Sequence, residues 1–191
     1  MTSLAQSLHS AQPLPLTPED VERASNRDGK RYELLDGELK EKTVGTEALF
    51  VASRISERVN ASQYPQHGFA ACEVMVYCFD RTNHGRKPDV VFARFDHLPE
   101  RRIPKGDLHF APELVVDVLS PGNSGLEVEE KLNEYLEAGV LLVWIVNPDR
   151  MTIRVYRHDG TTSLYHEKDV IENEPVLPGL RLMIGEVFPT H

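Results

Sequence analysis

The stretch APELVVDVLS, Ala111 to Ser120, sets one aspartate inside a run of strand-forming aliphatics. Leu114, Val115, Val116, Val118 and Leu119 read as a buried strand, and Asp117 lies in its middle. A carboxylate is costly to bury unless it is paired, hydrogen-bonded or bound to a metal. The strand ends at Pro121-Gly122. Beyond it, Glu127 to Ala138 has helical spacing, with Val128, Leu132, Tyr135 and Leu136 inward and Gly139 closing the helix. Leu141 to Val146 is a second buried strand. A strand, a helix and a strand in this order predict a right-handed parallel crossover.

Upstream, Pro88 to Phe95 (PDVVFARF) reads as a strand, and Ala70 to Phe79 alternates as another, with Glu73, Met75, Tyr77 and Phe79 on one face. Thr46 to Ala61 is a helix with Leu49, Ala52, Ile55, Ser56 and Val59 inward. Thr17-Pro18-Glu19-Asp20 starts a shorter helix reaching about Asn26, with Thr17 as N-cap. Tyr32 to Lys40 is a hairpin turning at Asp36-Gly37. Thr152–Arg157 and Thr162–His166 form another around Asp159-Gly160, and the tail offers a short strand and one helical turn. Residues 1–16, polar and holding Pro13 and Pro15, read as a flexible arm. The sum is an α/β domain with a central mixed β-sheet flanked by helices, with additional β-hairpins.

Composition narrows the chemistry. No run approaches the ~18 apolar residues of a membrane span, and the N-terminus lacks a signal-peptide pattern, so a cytoplasmic protein is expected. Cys72 and Cys78 cannot make a zinc site alone, and the eight histidines show no ligand spacing. A net charge of −9 argues against nonspecific nucleic-acid binding. The charge is uneven, however: between Arg81 and Lys105 seven basic residues face three acidic ones. That segment could dock one polyanion, or could be an ordinary solvated loop.

Three successive strands each carry one acid: Glu73, Asp89 and Asp117. If the strands are neighbours in register, the carboxylates converge and repel unless a cation or proton lies between them. Oxygen ligands without thiolate or imidazole suit Mg²⁺ or Mn²⁺, which activates water and stabilises charge at a phosphoryl centre. Lys131 completes the set. It lies about 60° from Val128 around its helix, at the border of the buried face. Each residue also has an ordinary reading. Asp89 could start a strand, Glu73 could be an exposed strand position, Lys131 could pair with Glu127 one turn before it, and Asp117 could meet an internal arginine.

Pro88-Asp89-Val90, LVVDVLSPGNS from Leu114, Lys131-Leu132-Asn133-Glu134-Tyr135, Gly139-Val140 and Trp144 to Pro148 together resemble the Uma-two-type endonuclease family. That family belongs to the restriction-endonuclease-like PD-(D/E)XK superfamily. The resemblance continues in YELLDGELKE and VLPGLRL and covers about residues 17 to 188. It implies a single restriction-endonuclease-like domain over 17–191 that hydrolyses phosphodiester bonds with Mg²⁺ or Mn²⁺. Asp89 matches the aspartate of the PD element, and Asp117 the strand acid, usually glutamate. The superfamily lysine two residues beyond is Leu119 here, and Lys131 matches the helix lysine thought to substitute. Glu73 matches an acid of the preceding strand, and Glu47 an early-helix acid. The resemblance also implies nucleic acid, DNA first, as partner, and a homodimer by analogy.

The leading expectation is therefore a metal-dependent DNA endonuclease using Asp89, Asp117 and Glu73 at the metal and Lys131 on the reacting phosphate. The alternative is a catalytically degenerate scaffold that binds nucleic acid or a protein. Asp117, one methylene shorter than glutamate, motivates that alternative.

Overall fold

The structure, a computed structural model, describes residues 14–190. Six strands form one mixed sheet in the order β3-β4-β5-β6-β7-β8: β3 Gly68–Cys72, β4 Val90–Arg94, β5 Leu114–Val118, β6 Leu142–Asn147, β7 Thr152–Arg157 and β8 Thr162–His166. β5 and β6 are parallel, with Val116 opposite Trp144 and Asp117 opposite Ile145; all other neighbours are antiparallel. Helix α3, Gly125–Glu137, makes the crossover between them. Two further pairs stand outside the sheet: β1 Tyr32–Leu35 with β2 Glu38–Glu41, and β9 Val170–Glu172 with β10 Arg181–Met183. The chain thus has the mixed central sheet, flanking helices and extra hairpins that its periodicity predicts.

Strand alternation sorts the core into two layers. Leu114, Val116 and Val118 point to one face with Val90, Phe92, Trp144 and Val146. There they meet Val51, Ala52, Ile55 and Val59 of α2, Thr46–Gln63, and the C-terminal residues Ile171 to Phe188. Val115, Val143 and Ile145 point to the other face, under Leu132 and Tyr135 of α3. Farther along that face Val91 and Ala93 are covered by the loop residues Val76, Leu98 and Leu108. Asp117 has the parity of Val115, so it belongs to the α3 side.

Several boundaries differ from the sequence reading. α3 begins at Gly125 because Ser124, not a later residue, caps it: Ser124 Oγ accepts the Glu127 N–H, and the Glu127 carboxylate accepts the Ser124 N–H. α1 runs Pro18–Asp28 behind Thr17, whose N–H is held by Asp20. The expected strand Ala70–Phe79 stops at Cys72. Glu73 takes a positive φ of 57°, and the chain leaves the sheet. Val76 then bridges Arg86 and Leu108 instead of β4. The expected arm falls mostly on residues 1–13, outside the described residues. Leu16 is tied to the first hairpin, its N–H donating to the Gly37 carbonyl.

Candidate functional site

A local irregularity positions the site. The β1–β2 hairpin does not join the sheet. It pairs instead with the loop between β3 and β4, through reciprocal backbone bonds between Leu34 and Gly85 at 3.0 and 2.7 Å, with Leu34 fully buried in a cluster with Val21 and Met75. Alternation then turns Glu33 inward beside the sheet, where it is 2% exposed. The end of β2 and the residue after it carry Lys40, Glu41 and Lys42 along the same rim. Together with the start of β4, the end of β5 and the first turns of α3, they enclose a cleft of about 170 Å³.

Asp89 and Asp117 both line this cleft. The register that pairs Val90 with Val116 brings Asp89 alongside Asp117, one residue further on each strand. Likewise the pairing of Cys72 with Val90 brings Glu73 alongside Asp89, and the Glu73 N–H donates to the Asp89 carbonyl at 3.2 Å. The three acids therefore stand at neighbouring places along one end of the sheet, Glu73 just after β3, Asp89 just before β4 and Asp117 within β5. They do not close on one point. The Lys42 ammonium lies between two of them, donating to Glu73 Oε1 at 2.9 Å and Asp89 Oδ1 at 2.8 Å. The Asp89 Oδ2 accepts the Val118 N–H at 2.6 Å. Glu73 does not line the cleft, and its other oxygen faces Arg31 at 3.3 Å. Among the described residues no three His, Cys, Asp or Glu side chains converge on a metal position. Lys42 thus takes the place between Glu73 and Asp89 where the sequence reading expected an ion, and of the three acids only Asp89 and Asp117 line the cleft.

Asp117 differs from Glu73 and Asp89 in that, among the described residues, Lys42 donates to both of those and to neither oxygen of Asp117. It is 9% exposed, and its Oδ2 is buried with no hydrogen-bond donor. Burial raises its carboxyl above the ordinary range, against the pull of Lys131, and the neighbouring Asp89 charge raises it further. Burial also raises Asp89, although Lys42 opposes it. The Tyr135 hydroxyl under α3 is likewise buried without a partner, and burial pushes its pKa well up.

Lys131 reaches the cleft as its helical position predicts, but its ion pair is with Glu33, not Glu127. Its Nζ donates to Glu33 Oε1 at 2.9 Å. Glu127 caps α3 and pairs with Lys40. Glu33 is also bonded by Arg86 Nη1 at 3.1 Å and the Lys87 N–H at 3.2 Å. Burial works to raise Glu33, but Lys131 and Arg86 outweigh it and hold the carboxyl below its usual value. Arg86 in turn binds Glu134 at 2.7 Å, and Glu134 faces His84 and Arg81. Lys42 and Lys131 both lose part of their water, yet the surrounding carboxylates keep each ammonium firmly protonated. Glu47 is exposed in the first turn of α2 and does not line the cleft.

Sequence reasoning therefore missed Lys42, Glu33 and Arg86. Only weak signals pointed to them: Glu33 alternates with the aliphatic Leu34 in a short hairpin, and nothing local separates Lys42 from Lys40.

The donor set suits a hard cation. Mg²⁺ is commonly held by one or two carboxylates, with water and substrate phosphate completing its shell. Asp89 and Asp117 supply two such groups, and the undonated Asp117 Oδ2 is an oxygen that a cation would satisfy. An ammonium on the same wall can meet negative charge developing on a phosphate oxygen.

Comparison with known proteins bears on the family and the fold. The model of the Uma2 family, described as "Putative restriction endonuclease", matches residues 18–185. A solved structure described as a "putative nuclease belonging to DUF820" from Anabaena variabilis superposes with a TM-score of 0.71 at 22% identity. The match covers 84% of this chain and 90% of that one, and it establishes the fold. No curated protein matches. Among the described residues no helix is long and apolar enough to cross a membrane.

Proposed function

This chain belongs to the Uma2 family, and on that premise we propose that it is an endonuclease that hydrolyses DNA phosphodiester bonds with Mg²⁺ or Mn²⁺. The observation that carries the reading is the Asp117 Oδ2: a buried carboxylate oxygen without a donor, beside Asp89, in a cleft walled by Lys131. Asp89 and Asp117 would hold the ion. When bound, such an ion lowers the pKa of a water and polarises the phosphoryl group.

The chain's own residues perform the remaining work. Lys42 and the Val118 N–H fix both oxygens of Asp89, so its carboxylate is pre-set. Glu33, held by Arg86 and the Lys87 N–H, aims Lys131 at the cleft. The Lys131 ammonium then orients the attacking water and offsets charge on a non-bridging phosphate oxygen. A second reading, a scaffold that binds without cutting, draws on one observation: both oxygens of Asp89 already accept a hydrogen bond, Oδ1 from Lys42 and Oδ2 from the Val118 N–H.

Incubating the purified protein with supercoiled, linear and single-stranded DNA in Mg²⁺ or Mn²⁺ tests the proposal. Cleavage that stops in chelator and in Asp117→Ala is expected. No cleavage of any topology, or cleavage undiminished by Asp117→Ala, overturns it. The scaffold reading expects DNA binding without cleavage and no thermal stabilisation by the metal. A working site expects stabilisation through linkage, lost in Asp89→Ala.

A further inference from the structure

Lys42 behaves as a cation in a coordination shell rather than as half of an ion pair. Its Nζ donates to Glu73 Oε1 at 2.9 Å, Asp89 Oδ1 at 2.8 Å and the Lys87 carbonyl oxygen at 2.6 Å. An ammonium has three hydrogens, and all three are used. The side chain is only 12% exposed. The acceptors come from separate places: the residue after β3, the residue before β4, and the carbonyl two residues before that. A surface lysine engages one carboxylate. This one is shared by two carboxylates from neighbouring strands and a backbone carbonyl, all hard oxygen ligands of the kind that hold Mg²⁺, Mn²⁺ or Ca²⁺.

A second observation points the same way. Lys42 meets Asp89 from the Glu73 side, and its charge is felt at Asp117, yet Asp117 Oδ2 receives no hydrogen bond from it. The edge therefore offers two cation positions. One is filled by the protein itself, and the other is lined by Asp117. Charge supports the division. The carboxylates Glu33, Glu73, Asp89 and Asp117 are matched by Arg31, Lys42, Arg86 and Lys131, so loss of Lys42 leaves a surplus negative charge between Glu73 and Asp89.

We propose that the Lys42 ammonium is a built-in cation filling a Glu73–Asp89–Lys87-carbonyl subsite that would otherwise take a divalent metal ion. The chain thereby keeps its divalent chemistry to the Asp117 side of the edge. The ion on that side rests on the nuclease reading above. The Lys42 subsite rests only on its own contacts.

The test counts ions. Full-length protein stripped with chelator is titrated with Mn²⁺, and free Mn²⁺ is followed by electron paramagnetic resonance. Lys42→Met keeps the stem and removes the charge. The variant should bind one more Mn²⁺ per chain than the wild type, and Lys42→Met/Glu73→Gln should lose that ion again. Because the readout is a difference, two failures separate. A gain from none to one upholds the subsite and removes the ion beside Asp117. Equal binding of one ion overturns the subsite and leaves the nuclease reading standing, and no binding in either protein overturns both. If Lys42→Met is unfolded without metal, circular dichroism replaces the count. Refolding on Mn²⁺ upholds the proposal, and a chain still unfolded at saturating Mn²⁺ overturns it.

Discussion

Replacing Asp117 with asparagine should make this protein more stable and end its activity. The two side chains have nearly the same shape, so packing under Leu132 and Tyr135 is kept. What changes is a buried charge whose Oδ2 has no donor. A buried unsatisfied polar group costs about 1–3 kcal/mol and a charged one more, and because the amide is still polar only the excess due to the charge is relieved. Lys131 and Lys42 attract Asp117 through space, but their hydrogen bonds go to Glu33, and to Glu73 and Asp89, and these survive the substitution. A net gain of about 2 kcal/mol corresponds to a rise in Tm of about 4 to 8 °C in a chain of this size.

The pH dependence carries a sign. Burial, outweighing Lys131, raises the Asp117 carboxyl above its unfolded value. Between the unfolded value, about 4, and the raised native value, the native state keeps a proton that the unfolded chain releases. Stability from this group therefore falls as pH rises through that window, and the penalty is complete above the native value. The advantage of Asp117→Asn should be small near pH 4 and largest at neutral pH. Thermal and urea melts of both proteins in chelator, from pH 4 to pH 8, measure it. A variant less stable than wild type at pH 7, or an advantage that shrinks as pH rises, refutes the reasoning.

Three further outcomes are expected. Glu33→Ala leaves Arg86 and Lys131 facing each other without their shared carboxylate. Removing one partner of a buried pair costs about 3–5 kcal/mol, read as a fall in the urea midpoint. Lys131→Met leaves Glu33 bonded to Arg86 and the Lys87 N–H, so the fold should hold, and it should lower kcat by about 10²–10³, the range for losing one preorganised charge-stabilising donor. An unchanged kcat removes Lys131 from the reaction. Gly68→Ala would press a Cβ onto the Ala93 carbonyl oxygen and to 2.7 Å from Phe92 Cε2, across the β3–β4 pair. Overpacking of this kind costs about 1–3 kcal/mol, and an unchanged unfolding midpoint would show that the edge strand yields.

The α2, β5, α3 and β6 segments were legible because their signals are local. Apolar spacing over one element decides helix or strand, and Ser124 with Glu127, or Asp159-Gly160, marks an end within four residues. The same locality placed Asp89 and Asp117 on adjacent strands and Lys131 near the cleft. It failed at Glu73, where a backbone turn of positive φ ended a strand whose alternation continued unbroken in the sequence.

By itself, then, the sequence determined that an acid-bearing mixed sheet would form and that Asp117 would lie inside it. Only the tertiary structure decided which cations would meet those acids. Lys42 reaches Asp89 across 47 residues and Lys131 reaches Glu33 across 98. Those pairings exist because the β1–β2 hairpin docks on the loop between β3 and β4 instead of extending the sheet. Docking is set by the total burial of Leu34 and its neighbours, a property of the packed chain that no short window records. The aspartate without a donor was visible at once as a buried charge. That a lysine would fill one side of its edge, and leave the other to Asp117, is a consequence of where the hairpin came to rest.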